Sequence, residues 1–391
     1  MRTQQAVGLG VLFCGALLAA PACSGATSSP KGSTPDAGSD AAADALTETS
    51  ADTGADIQIE VGSDGAVGCG CSPGLHNQSI IVVSDQAELL SYDPAKNTFA
   101  KIADLNCAGE KNPYSLAVDR TGTAWVLFAG TNDIMTLDVT APAGCADPTY
   151  LPNQNGFGLF GMAFSTETDP QLCERIYAHS YSGNGPFTEG KAVGALGRMD
   201  PSSKVVTKLA DIDFNGGELA GTGDGRLFAF AGDQPAKLIE YDKNSGAALS
   251  VTPLTGLSKT TASAFAHFGG DFYFFTEATP AACAPCLSTT CSAEVAQCQA
   301  DSSCAAELSC ALGQFMISDD CGGLMPAAMQ SCVNACAAEC LPAKLNRKSQ
   351  VHRLDFDGSD DAGGGLSVAS PSAPVRIVGA DSSTCVQFVP R

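Results

Sequence analysis

A short unit recurs along most of this chain and limits what it can fold into. It consists of an apolar strand, a turn, a second apolar strand, and then a large apolar or aromatic residue followed by Asp. The Asp step occurs as Tyr92-Asp93-Pro94, Leu137-Asp138-Val139, Met199-Asp200-Pro201, Tyr241-Asp242-Lys243 and Leu354-Asp355-Phe356. The clearest preceding strand pair is Leu116-Ala117-Val118-Asp119, Gly122, then Ala124-Trp125-Val126-Leu127-Phe128. Leu219-Ala220 with Leu227-Phe228-Ala229-Phe230, and Ala264-Phe265-Ala266-His267 with Phe272-Tyr273-Phe274-Phe275, repeat it. Met162-Ala163-Phe164 leading to Arg175-Ile176-Tyr177-Ala178 is a longer version. Apart from one interruption, the aspartates lie about 40 to 60 residues apart.

A four-stranded meander of some 40 residues is the period of a propeller blade. Blades cover each other's faces, so a strand such as Phe272–Phe275 can be apolar throughout. The expected fold class is therefore all-β: a five-bladed β-propeller over residues 69–391, or a six-bladed one if Asn153–Leu196 holds a further blade. The first unit starts at Ile80-Ile81-Val82-Val83 without an inner strand. The spare C-terminal run Thr384-Cys385-Val386-Gln387-Phe388 is expected to complete it and close the ring, removing exposed sheet edges. The repeated aspartates read as turn caps, since Asp bonds the backbone of its own turn. Gly221-x-Gly223-x-Gly225 reads as a strand turn and not a phosphate loop, because no helix follows. Trp125, Tyr177, Phe272 and Tyr273 read as packing between blades.

These units resemble the blades of the NHL, gluconolactonase and streptogramin-lyase propellers, most clearly at Leu116-Ala117-Val118-Asp119, Gly122 and Trp125-Val126. That resemblance implies the fold. For activity it implies a metal-dependent lactonase-like or lyase-like enzyme as the alternative to a binding protein. Lactonase-like enzymes hold a divalent cation with carboxylates and amides of the inner strands, and those positions cannot be matched here residue by residue.

Between Phe275 and Val351 the repeat stops. Cys283, Cys286, Cys291, Cys298, Cys304, Cys310, Cys321, Cys332, Cys336 and Cys340 crowd a segment otherwise rich in helix-forming Ala, Glu, Gln, Leu and Met. A disulfide-rich α-helical insertion is expected over residues 281–346, with Cys332, Cys336 and Cys340 on one helix face. A module so poor in large apolar residues needs covalent staples. Cys283-x-x-Cys286 has zinc-ligand spacing, but no second such pair and no histidine accompanies it. The insertion falls between the second and third strands of the fifth unit. The long Ser180–Lys191 loop falls at the same place in the third. Both are expected to crown one face of the ring, where binding loops of a repeat scaffold lie. His179, Tyr181 and Phe187 are the candidate residues there, and His179 is the one histidine placed for a catalytic base. No catalytic set, resident metal or cofactor is expected.

The N-terminus reads as an export signal over residues 1–22: Arg2, an apolar run from Val7 to Ala20, then small residues before Cys23. Leu18-Ala19-Ala20-Pro21-Ala22-Cys23 resembles the lipobox of bacterial lipoproteins, although Ala20 stands where Leu is usual. The resemblance implies lipidation at Cys23. Ser24 after it implies the outer membrane, at the cell surface or on the periplasmic side. Residues 23–68 are dominated by Ala, Asp, Ser, Thr and Gly and bury too little to fold. They read as a tether with a span of roughly 35–40 Å. Of 18 cysteines, Cys14 leaves with the signal and Cys23 takes the lipid. The remaining Cys69, Cys71, Cys107, Cys145, Cys173 and Cys385, with the ten of the insertion, are disulfide candidates in an oxidising compartment. A net charge of −21 argues against a nucleic-acid partner, which needs a basic surface. The expected protein is a monomer that meets the membrane through its lipid and binds an unknown protein or carbohydrate.

Overall fold

The computed structural model describes residues 69–73, 75, 79–169, 172–181, 194–232, 236–257, 263–278, 280, 282–314, 325–343, 346–357 and 365–386. The signal, the tether, Cys23, Phe187 and Cys321 lie outside these residues, as does the side chain of Cys310.

Five antiparallel sheets form five blades. The first contains β1 (Ile80–Ser84), β2 (Glu88–Asp93) and β3 (Thr98–Asp104), with β19 (Ile377–Asp381) innermost. The second contains β4 (Pro113–Val118), β5 (Thr123–Phe128) and β6 (Ile134–Asp138). The third contains β7 (Leu159–Thr166), β8 (Glu174–Tyr181), β9 (Gly194–Met199) and β10 (Val206–Ile212). The fourth contains β11 (Glu218–Gly221), β12 (Leu227–Ala231), β13 (Lys237–Tyr241) and β14 (Ala248–Pro253). The fifth contains β15 (Ser263–Phe268), β16 (Asp271–Glu277), β17 (Ser349–Leu354) and β18 (Leu366–Ser370). The inner strands β19, β4, β7, β11 and β15 neighbour one another in that cyclic order. The described residues between 153 and 196 belong to the third blade and its approach, and the ring has five blades.

Each junction between blades has its own apolar cluster. Strand β16 shows why its sequence lacks polar alternation. Phe272 and Phe274 point into the junction with the fourth blade, while Tyr273 and Phe275 point into the junction with the first. Phe274 lies parallel to Phe265 at 5.7 Å and edge-on to Phe230 at 4.9 Å. Burying one such ring contributes about 1.5–3 kcal/mol. Trp125, Tyr177, Phe272 and Tyr273 are all buried, as the strand pattern requires. Inner strands crowd near the axis, and glycine allows it. A Cβ on Gly379 would stand 2.9 Å from the Leu116 amide nitrogen, and one on Gly221 would strike the Phe164 carbonyl.

The ring closes differently from the expectation. Its inner closing strand is Ile377–Asp381, paired antiparallel with β1. Thr384–Val386 is not a strand. The reason is the disulfide Cys71–Cys385, which draws that segment to where the chain enters the ring. The second blade also departs from the four-strand unit. Its outer position holds one isolated bridge, Thr136–Ala146, in a stretch containing Pro142, Gly144 and Pro148, which cannot sustain a ladder. Cys107–Cys145 ties this stretch to the exit of β3.

Four of the five repeated aspartates cap their turns. Asp93 Oδ1 accepts the Ala95 and Lys96 amides, Asp138 those of Thr140 and Ala141, Asp200 those of Ser202 and Ser203, and Asp242 those of Asn244 and Ser245. Asp355, the fifth, is buried, and the turn that follows it runs beyond the described residues.

The insertion sits between β16 and β17. It contains α1 (Cys283–Thr290), α2 (Ser292–Ala300), α3 (Ser302–Gln314), α4 (Ala327–Ala335) and α5 (Ala337–Cys340). Cys283–Cys340, Cys286–Cys336 and Cys291–Cys332 form three antiparallel rungs between α1 and the α4–α5 pair, and Cys298–Cys304 closes the α2–α3 corner. The two cysteines of Cys283-x-x-Cys286 thus pair with different partners. Cys336 interrupts the helix between α4 and α5, yet Cys332, Cys336 and Cys340 still turn to one side. Among the described residues, no helix is long and apolar enough to cross a membrane.

Candidate binding face and the central channel

In this topology the second-to-third-strand connections and the entries to the inner strands share one face of the ring. The first-to-second-strand turns share the other. The insertion and the ends of β8 and β9 that flank residues 182–193 therefore lie on the same, crowned face.

A network of charges fixes the insertion there. Glu277 ends β16 just before the insertion, and Arg347 follows it. Arg347 Nη1 lies 3.6 Å from Glu277 Oε1. Arg376, at the mouth of β19, donates from Nε to the same carboxylate and lies 3.5 Å from Asp85 of the first blade. Arg347 also donates to the Pro342 carbonyl at 3.2 Å. These side chains are buried or nearly so, and removing one partner of such a set leaves an uncompensated charge.

The mouth of the channel on this face is narrow. Ser115 of β4 donates to Glu218 Oε2 of β11 at 2.9 Å and accepts the Met162 amide of β7 at 3.0 Å, so one hydroxyl joins three blades. A Cβ on Gly161 would stand 3.1 Å from Glu218 Oε2. Glu218 was not singled out from the sequence. A carboxylate opening an otherwise apolar inner strand is the signal that would have marked it.

His179 does not belong to the crowning loop. It is fully buried on β8, where Nδ1 accepts the Gly217 amide at 3.2 Å. Its ring lies 6.2 Å from Phe214 and 6.1 Å from Tyr241. Burial pushes its pKa down to about 4. A neutral, enclosed imidazole packs the junction of the third and fourth blades and has no route to a substrate proton. Beside that junction, Phe214, Ile239 and Tyr241 line a half-open cleft of about 510 Å³. His267 is buried near the turn between β15 and β16, away from the crowned face, and burial lowers its pKa also. Tyr181 is at the crowned face, half-buried, its ring nearly parallel to that of Tyr114 at 6.1 Å.

The opposite face is closed. Ser382–Val386 lies across it, almost wholly buried. Ser382 donates to the His267 carbonyl, Ser383 to the Asp119 carbonyl at 3.1 Å, and Thr384 to Glu174 Oε2 at 2.6 Å. Arg120 binds the segment from the side, donating to Thr384 Oγ1 (3.1 Å), the Cys69 carbonyl (2.8 Å) and Thr166 Oγ1 (2.6 Å). Cys69–Cys173 and Cys71–Cys385 complete the closure. Beneath it lies Asp381, whose Oδ2 accepts the Val118 amide at 2.9 Å. Burial raises the pKa of Asp381 well above the carboxylate range and that of Glu174 up to about 7.

The cluster that could hold a metal, among the described residues, is Asp271, Asp355 and Asp357, with one oxygen from each within 4.8 Å of the others. It lies at the strand ends of the fifth blade on the closed face, outside the channel. Arg353 already engages Asp271 at 2.7 Å. The Asp355-Phe356-Asp357 spacing was visible in sequence, but Asp271 joins it only through the β16–β17 ladder.

No family model matches the chain, and no curated protein matches it. Solved structures that match include a candidate gluconolactonase (12% identity, 52% of this chain and 70% of that one, TM-score 0.35). A streptogramin B lyase matches at 16% identity (52% and 64%, TM-score 0.31). TolB from Acinetobacter baumannii matches at 14% (52% and 48%, TM-score 0.32).

Proposed function

We propose that this chain is a lipid-anchored binding or scaffold protein of the cell envelope, which engages its partner through the crowned face. The observation that carries the reading is the Glu277–Arg347–Arg376–Asp85 network. It holds a disulfide-stapled helical module rigidly at the ring, and rigid presentation reduces the ordering cost of binding. The closed opposite face and the Ser115–Glu218 constriction leave the crowned side as the face open to a large ligand. The lactonase-like alternative draws no support from the carboxylate trio, which lies outside the channel.

Photo-crosslinking in intact cells tests this. A photoreactive residue at the exposed positions Ala284 or Ser331 is expected to trap a discrete partner, whereas one at Asn244, on the closed face, traps none. Equal trapping from both faces would refute the assignment of the face, and a partner retained after deletion of residues 281–345 would take the insertion out of the contact. Intact mass of membrane-extracted protein tests the anchor: acylation at Cys23 is expected, and an unmodified Cys23 overturns it.

A further inference from the structure

We propose that the crowned face carries a neutral-carbohydrate site over the second and third blades, with Tyr114 and Tyr181 as its stacking platform. This rests on the reading of that face as the binding face and names one ligand class for it. Tyr114 enters β4 and Tyr181 ends β8, so two separate blades deliver the two nearly parallel rings. Leu159 faces Tyr181 across the β7–β8 ladder. The adjoining Gly158 lies against a pair of amides. A Cβ there would stand 3.1 Å from Asn153 Oδ1 and 3.2 Å from Asn132 Nδ2. Asn132 Nδ2 donates to Asn153 Oδ1 at 2.8 Å. Among the described residues no other side-chain bond engages this pair. Asn132 Oδ1 therefore offers an acceptor and Asn153 Nδ2 a donor. Thr131, next in the same turn, donates to Glu110 Oε2 at 2.8 Å. Below, the Tyr150 hydroxyl is buried without a hydrogen-bond partner, near Asp133.

A pyranose ring has an apolar C–H face and a rim of hydroxyls. The electron-rich face of tyrosine suits the first. Planar amides and a carboxylate, which donate and accept in fixed directions, suit the second. Anionic glycans are disfavoured by a net charge of −21 and by Glu110 and Asp133 at the patch.

The test uses the full chain in detergent, run in native gels containing mannan, a soluble β-glucan or dextran, with calorimetry on the corresponding hexasaccharides. At least one neutral polysaccharide is expected to retard the protein. Tyr114→Ala and Tyr181→Ala are each expected to weaken binding about tenfold or more, and Tyr181→Phe to retain most of it. Asn153→Ala, at an exposed position, is expected to weaken it several-fold without disturbing the fold, which the fluorescence of the single Trp125 monitors. No retardation by any of the three polymers, or alanine variants that bind as the parent does, would overturn the site. If cross-links from Ala284 persist while all three polymers fail, this inference falls and the assignment of the crowned face stands.

Discussion

The ring and its insertion solve the same problem by different means. Each blade junction is filled by large side chains: Phe228, Phe230, Phe265, Phe272 and Phe274 share one of them. The core of the insertion is mainly sulfur. Cys283, Cys291, Cys298, Cys304, Cys332, Cys336 and Cys340 surround a few residues such as Leu287, Met329 and Val333. The ring thus rests on area removed from water. The insertion rests on covalent restriction of its unfolded chain. The contrast also shows in where the bridges fall. Those of the insertion span 6 to 57 residues. Two of the ring's three span 104 and 314, and these join distant parts of the circle.

The sharpest way to break this comparison is full reduction. The helical signal in circular dichroism is expected to disappear and proteolysis to begin within 283–340, while Trp125 stays buried and the strand signal persists. Loss of both together would mean the ring depends equally on its bridges. Next in size, Phe274→Ala is expected to cost the ring about 3–5 kcal/mol in denaturant unfolding followed by Trp125, leaving the helical module intact. Cys291→Ser with Cys332→Ser is expected to cost the module about 2–4 kcal/mol and the ring almost nothing.

The smallest effect concerns pH. Glu174 keeps its proton in the folded ring up to about pH 7, because burial disfavours its charge. The unfolded chain releases that proton near the ordinary glutamate value. Between the two the unfolded state binds fewer protons at this group, so its contribution to ring stability is expected to fall as pH rises and to level off above about 7, while buried His179 and His267 contribute the opposite slope at the acid end. Glu174→Gln should remove the glutamate's part alone. Urea midpoints of both proteins from pH 4.5 to 8 check this: the parent is expected to lose ground relative to Glu174→Gln as pH rises to about 7, and two curves that run parallel would contradict the burial argument.

Much of the ring was legible because blades repeat. Leu116–Val118 and Ala124–Phe128 announce an inner strand pair, and the turn aspartates mark the third strand each time. The closing strand was not legible. Ile377-Val378-Gly379-Ala380-Asp381 lacks the strong apolar pattern of Thr384–Phe388, and only the Cys71–Cys385 bridge shows why the latter cannot serve. Among the candidate residues, Tyr181 came to the crowned face and His179 did not. A residue at the end of a strand can point along either side of it, and the choice was made by Gly217, 38 positions away. Asn132 and Asn153 likewise meet only through the folding of two turns, with no local signal in either.

The bridges at Cys69 and Cys71 have a mechanical consequence. Tension arriving along the chain from residues before Cys69 is passed at once to Cys173 in the third blade and to Cys385 at the far end of the domain. The load is divided across the circle before it reaches β1, whose pairing with β19 closes the ring. A domain pulled from its N-terminal side is thus held at two covalent bolts, with the closing seam out of the line of force.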